Sequence, residues 1–214
     1  MDNLVAAALH DAKNALAALQ VWLDQARKQA PSAPLDQART MATRLGTQLV
    51  ELLAVYRQEQ GSLRMSVADH DLCDFIDDLR TEWVLAPDSK IAIAWDQEGN
   101  APRIGAWAFD GYLVKMVLLD ALRNAERQAH KHIELKISAN ADGLCFTIHD
   151  DGPGFNGSQL PEQSDAPMHT SGSGLGLSFA RIIAEAHHNP KGQSGRVEIM
   201  NAPEGGAILS LLLP

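Results

Sequence analysis

The sequence contains no run of about 18 apolar residues, the least that lets a helix cross a bilayer, so no segment is expected to span a membrane. Its first residues lack a basic stretch followed by an apolar one, and no signal peptide is expected. Cysteine is scarce. Cys73 and Cys145 stand far apart in apolar or mixed segments; they support no thiolate metal site and read as two buried thiols in a reducing cytoplasm. Positive charge is in deficit: 18 Lys and Arg against 27 Asp and Glu give a formal net charge of −9, which argues against general nucleic-acid binding and against docking on anionic lipid. The common phosphate-binding fingerprints are missing too. There is no Gly-x-x-x-x-Gly-Lys-Ser/Thr, and no Gly-x-Gly-x-x-Gly after a strand near the start of a dinucleotide unit.

What is present divides the 214 residues in two. Residues 4 to 30 carry apolar side chains in heptads, with Leu9, Leu16, Leu23 and Ala30 on one row and Ala12, Leu19 and Ala26 on the other. Pro31-Ser32-Ala33-Pro34 breaks that helix. A second helix follows, with Ala38, Leu45 and Leu52 on one row and Ala42, Leu49 and Tyr56 on the other, and Gly61 ends it. An antiparallel helical hairpin with such seams either packs on the rest of its own chain or pairs with a second copy; the sustained heptads favour a dimeric four-helix bundle. From residue 63 the period changes. Helices are expected at Asp71 to Trp83, Tyr112 to Gln128 and Leu175 to His187, and strands at 91–95, 132–139, 144–149, 196–201 and 207–213. The fold class is therefore α+β: a hairpin domain at 1–62, then a two-layer α/β sandwich at 63–214.

Two glycine-rich stretches carry the chemistry. Ile148-His149-Asp150-Asp151-Gly152-Pro153-Gly154-Phe155 puts a carboxylate beside a turn that lets backbone approach a flat ligand. Ser171-Gly172-Ser173-Gly174-Leu175-Gly176-Leu177-Ser178 puts small residues directly before an apolar helix, where free N–H groups can face phosphates. With Asp120-Ala121-Leu122-Arg123-Asn124-Ala125-Glu126-Arg127 upstream, they resemble the ATP-binding domain shared by sensor histidine kinases, gyrase, Hsp90, MutL and the anti-sigma-factor kinases. The resemblance runs from about Val67 to the C-terminus.

It implies roles residue by residue. Asp150 would accept the adenine amino group, with Gly152 and Gly154 permitting the turn. Gly172, Gly174, Leu175, Gly176 and Leu177 match the second glycine motif of the nucleotide site. Asn124 matches the asparagine that joins phosphate oxygens around Mg²⁺. Arg127 matches a position that touches phosphate, and would otherwise be a solvent-facing helix arginine. Asp120 stands where the kinases usually have Asn and related ATPases have Glu; it would polarise the attacking group or a water, or make a second metal contact. Asp151 falls at the variable position and is expected to be solvated. Phe155 is expected to pack beneath the polar loop Asn156 to Thr170, which resembles an ATP lid. His187 matches a family histidine with a structural role.

On the first helix, His10-Asp11-Ala12-Lys13-Asn14-Ala15-Leu16 resembles the phosphoacceptor box of histidine kinases, with Asp11 in place of Glu and Ala15 in place of Pro. His10 and Asn14 lie one turn apart on the same face. A neutral imidazole is needed to attack phosphorus, and a carboxylate such as Asp11 can fix its tautomer and accept its proton. Asn14 can orient a water, and in the family that position supports dephosphorylation of the partner. The resemblance thus implies a cytoplasmic protein histidine kinase using ATP and Mg²⁺, acting as a homodimer on a response regulator receiver domain. With about nine residues before His10, the sensing module is expected in a larger protein or a partner. Two other readings stand beside this one. A non-enzymatic histidine phosphotransfer protein would have a vestigial ATP domain, against which the intact glycines count. A serine kinase of the anti-sigma type would not need the heptad hairpin.

Overall fold

The computed structural model describes residues 2–84, 91–96, 98–155 and 175–214. The chain divides into two compact units, Met1–Leu63 and Arg64–Pro214.

The first unit is a helical hairpin of α1 (Asp2–Gln29) and α2 (Ala33–Glu59). Ser32 sits in extended backbone before α2, with a proline in the first turn, where its missing N–H costs nothing. Beyond the other end, Gly61 takes φ +60°, and the N–H groups of Gly61 and Ser62 return to the carbonyls of Gln58 and Arg57 at 3.0 and 2.8 Å. These are the paired bonds of a Schellman stop. The ion pairs Arg39–Asp24 (2.6 Å) and Arg27–Asp36 (2.9 Å) tie the helices side by side.

The heptad rows do not all serve one seam. Leu9, Leu16 and Leu23 are partly covered and Ala42 is buried, whereas Ala12 is exposed, Leu19 is 40% exposed, and Leu45 and Leu52 are 51% and 41% exposed. One row of each helix closes the hairpin and the other stays open. Trp22 and Met41, at 65% and 66%, are exposed as well. On the open side lies an apolar groove of about 420 Å³ lined by Ala12, Ala15, Leu16, Leu19, Leu45 and Leu49.

The second unit is built on a five-stranded sheet. β1 (Ala68–Asp71) leads into α3 (Leu72–Val84); then come β2 (Ala92–Trp95), α4 (Ala101–Ile104), β3 (Ala106–Phe109), α5 (Gly111–Gln128), β4 (His132–Asn140), β5 (Gly143–Asp150), α6 (Leu175–Ala186), β6 (Arg196–Asn201) and β7 (Ala207–Leu213). The sheet order is β2-β4-β5-β7-β6; among the described residues the β2–β4 pair is parallel and the other pairs are antiparallel. Residues alternate cleanly between faces. Ile133, Leu135 and Ile137 of β4 and Leu144, Phe146 and Ile148 of β5 are buried on the side covered by helices. Facing them are Val114, Leu118 and Leu122 of α5, Phe179 and Ile183 of α6, and Leu72, Phe75 and Leu79 of α3. Each such side chain contributes about 1.5–3 kcal/mol on full burial. β1 and β3 form a separate antiparallel ribbon. Cys73 and Cys145 are free but only partly covered, not buried as expected, because each lies beside the core-facing phase of its element.

His187, just past α6, is buried. Its Nε2 accepts the Asp110 N–H at 2.9 Å and its Nδ1–H donates to the Ile183 carbonyl at 2.7 Å, so the ring is neutral with the proton on Nδ1. Burial holds its pKa below the usual histidine value; the Ile183 contact and Asp110 oppose this, and His188 adds to it. The unfolded chain therefore takes up this proton first as pH falls. The stabilisation is complete above the ordinary histidine pKa and is lost as pH drops through it towards the folded value. In urea titrations between pH 8 and pH 5, the wild type is expected to lose up to about 1.4 kcal/mol per pH unit more than a His187→Gln protein. Parallel profiles would remove His187 as the cause.

Candidate functional site

Helix α5 is fixed from its first turn. Its N-cap Asp110 is buried, and its carboxylate accepts the N–H groups of Leu113 at 3.0 Å and Ser66 at 2.7 Å. With 3.6 residues per turn, Asp120, Asn124 and Arg127 rise on one face, and they are joined there. Asn124 Nδ2 donates to Asp120 Oδ2 at 3.0 Å, and Arg127 Nη2 donates to Asn124 Oδ1. The two charges dictate the amide's orientation: its NH₂ meets the carboxylate and its oxygen meets the guanidinium. Asn124 and Arg127 are exposed while Asp120 is half-buried. Burial pushes the Asp120 carboxyl above the ordinary carboxylate range; Arg127, the Asn124 hydrogen bond and Arg123 pull it back.

The start of α6 comes directly against this face. A Cβ on Gly176 would lie 2.2 Å from Asp120 Oδ2, so the close approach requires a glycine. Leu175 and Leu177 flank it at the described start of α6.

Asp150 arrives through strand alternation. It follows Leu144, Phe146 and Ile148 in the buried phase of β5, so its carboxylate turns to the helix-covered side. Its Oδ1 accepts the Gly152 N–H at 2.8 Å and the Ala207 N–H at 3.4 Å. Gly152 backs onto the end of α5, where a Cβ would lie 2.4 Å from the Gln128 carbonyl oxygen. Asp151 departs from the expectation that it is solvated. Three successive N–H groups of the α5–β4 connection converge on its Oδ1, from His130 at 2.8 Å, Lys131 at 3.0 Å and His132 at 3.1 Å. These bonds, Lys131's first, hold its carboxyl below the ordinary range.

The structure thus brings Asp120, Asn124, Arg127, Asp150, Gly152, Gly154, Leu175, Gly176 and Leu177 together within one unit. Gly172, Gly174 and the loop Asn156 to Thr170 lie outside the described residues. His10, Asp11 and Asn14 lie on α1 in the other unit; Asp11 and Asn14 are exposed, and the His10 side chain is outside what is described. Asn201, which no motif marks, pairs with the backbone of Phe155; a lone Asn ending a strand carries no signal in sequence.

Among the described residues, no group of three His, Cys, Asp or Glu side chains is placed to hold a metal. What α5 does present is the Asp120 carboxylate and, one turn on, the Asn124 amide, whose NH₂ meets that carboxylate and whose oxygen meets Arg127; both oxygens are hard donors of the kind Mg²⁺ takes when phosphates and waters complete its shell. Gly152 and Gly176 are required by packing within the unit, since a side chain at either would collide with the Gln128 carbonyl or the Asp120 carboxylate.

Residues 110–214 match the family described as histidine kinase-, DNA gyrase B-, and HSP90-like ATPase. The sensor histidine kinase CpxA of Escherichia coli is 26% identical over 223 residues, covering 96% of this chain and 45% of CpxA. The signal transduction histidine-protein kinase AfsQ2 of Streptomyces coelicolor is 29% identical over 181 residues, covering 80% of this chain and 31% of AfsQ2. This chain therefore spans half or less of the length of these relatives. The solved structure of the Acinetobacter baumannii histidine kinase AdeS superposes with a TM-score of 0.63 at 16% identity, over 92% of this chain and 94% of that one, a likeness of fold.

Proposed function

From the histidine kinase-type ATP-binding region that residues 110–214 form, we propose that this chain is the catalytic core of a two-component histidine kinase. It phosphorylates His10 from Mg-ATP and passes the phosphoryl group to an aspartate of a response regulator receiver domain on the cytoplasmic side. One observation carries the reading: the Asp120-Asn124-Arg127 ladder, the first turn of α6 and the Asp150 turn meet in one unit, and a separate hairpin unit earlier in the sequence bears His10.

When bound, Mg-ATP supplies the γ-phosphoryl group and neutralises its charge. The chain's part is positioning and proton management. Asp150 binds the base through its carboxylate, and Asn124 offers its amide oxygen to the metal. Arg127 and the N–H groups at the start of α6 face the phosphates. Asp120 makes a second metal contact or orients the attacking group. The His10 imidazole attacks as the neutral ring, its other nitrogen passing a proton to Asp11 as the N–P bond forms and ADP leaves. Asn14 holds a water for the reverse task of removing phosphate from the regulator.

The test is incubation with γ-labelled ATP and Mg²⁺. The expected product is a phosphoprotein that is stable to base and lost in acid; label on a serine would overturn the proposal.

The open rows of the hairpin support a homodimeric four-helix bundle. Leu19 and Leu45 stand exposed on an apolar groove and Leu52 is exposed one heptad beyond Leu45, the face a second copy would cover. Replacing Leu45 and Leu52 by Glu would bury unpaired charge at several kcal/mol, so light scattering should show the double variant as a monomer. A wild type already monomeric at micromolar concentration would refute the dimer.

A further inference from the structure

We propose that Asn201 is a positioning residue for base selection: it holds the turn from Asp150 to Phe155 in the shape that lets Asp150 select an amino-bearing purine. The proposal rests on the reading of Asp150 given above.

Asn201 ends β6, 46 positions from Phe155 and outside every motif. Its amide does the work of a neighbouring strand. Oδ1 accepts the Phe155 N–H at 2.6 Å and Nδ2 donates to the Phe155 carbonyl at 3.0 Å. Gly154 is left-handed, with φ +80°, and a Cβ there would lie 2.7 Å from Asn201 Oδ1. The Asn201 amide thus fills the space a side chain at 154 would need.

The other arm of the same hairpin holds the other end of the turn. Gly206 has φ +96°, and a Cβ on it would lie 1.7 Å from the Asp150 carbonyl oxygen. Ala207 N–H reaches Asp150 Oδ1 at 3.4 Å. The hairpin loop is closed on itself by the Gly205 N–H to the Ala202 carbonyl and the Ala202 N–H to the Gly206 carbonyl, both at 3.0 Å. The β6–β7 hairpin therefore grips residue 150 with one arm and residues 154–155 with the other, and the bond from Gly152 N–H to Asp150 lies between the two grips.

An amide suits the position because it offers a donor and an acceptor at once. A carboxylate would set an oxygen against the Phe155 carbonyl, and a methyl would offer neither group. A carboxylate selects an amino group only while its oxygen is held in place, so loosening the turn should erase selectivity before it erases binding.

The experiment compares ATP with ITP, which carries a carbonyl where adenine carries its amino group. Calorimetry is run on the full chain, on Asn201→Ala, Asn201→Asp and Asp150→Ala, and on the Asn201→Ala/Asp150→Ala double variant. The wild type is expected to prefer ATP by about tenfold or more, one charge-assisted hydrogen bond's worth. Asn201→Ala should cut that preference to about threefold or less. Asp150→Ala should remove it, and the double variant should show no further loss in the ratio, since the two act in series. Asn201→Asp, which keeps the acceptor for Phe155 N–H, should fall between wild type and Asn201→Ala, and it carries the test if the alanine variant does not fold. If Asn201 variants weaken ATP and ITP by the same factor, or lower only the unfolding midpoint, the positioning role is wrong. An ATP preference untouched by Asp150→Ala would instead overturn the reading of Asp150, and the proposal with it.

Discussion

A His10→Ala protein is expected to take no label from ATP while binding the nucleotide as the wild type does. The substitution removes the only nucleophile the proposed reaction uses and lies in the hairpin unit, whereas the residues proposed to face the nucleotide lie in residues 64–214. Calorimetry with a non-hydrolysable ATP analogue, read beside a labelling gel, separates the two effects. Neighbouring substitutions should grade the result. Asp11→Asn keeps the shape and loses the proton acceptor, slowing labelling by roughly 10²-fold or more. Asn14→Ala should leave labelling largely intact and lower the rate at which phosphate is stripped from a partner regulator. An acid-labile, base-stable label on the His10→Ala protein would end the assignment.

Asn124→Ala is expected to bring phosphorylation to background without unfolding the domain. The Asn124 amide stands between Asp120 and Arg127, and its loss removes both the oxygen proposed to meet the metal and the link between those charges. A metal contact on a transferring phosphoryl group is worth several kcal/mol, about 10³-fold or more in rate at 1.4 kcal/mol per tenfold. Asn124 is exposed and caps no helix, so circular dichroism should be unchanged. Residual nucleotide binding should lose most of its dependence on Mg²⁺. Normal autophosphorylation in this variant would contradict the role.

Much of this was legible in the sequence because it is periodic or local. The α5 ladder follows from i, i+4, i+7 spacing, and the buried aspect of Asp150 follows from counting by twos along β5. What the sequence hid is what depends on distant partners. β1 reads Ala-Asp-His-Asp with no apolar alternation, and it becomes a strand only by pairing with Ala106–Phe109. The heptads show that apolar rows exist but not which row meets its own partner helix, a matter settled by the ion pairs Asp24–Arg39 and Arg27–Asp36 and the covering of Ala42. Asp151 looked solvated because its three donors come from 19 to 21 residues upstream. Asn201 was invisible for the same reason.

The Asp151 tether has a thermodynamic corollary. Asp150 and Asp151 are neighbours with different partners, one accepting the N–H groups of Gly152 and Ala207 and the other bonded to the connection that follows Gln128 at the end of α5. Gly152 packs against the Gln128 carbonyl, leaving no room for a side chain. A ligand that orders the Asp150 turn therefore also orders the end of the helix carrying Asn124 and Arg127. Linkage makes such an effect reciprocal: the factor by which a nucleoside tightens the divalent cation must equal the factor by which the cation tightens the nucleoside. Two ends of the proposed nucleotide site that share no ligand atom would in this way share one free energy.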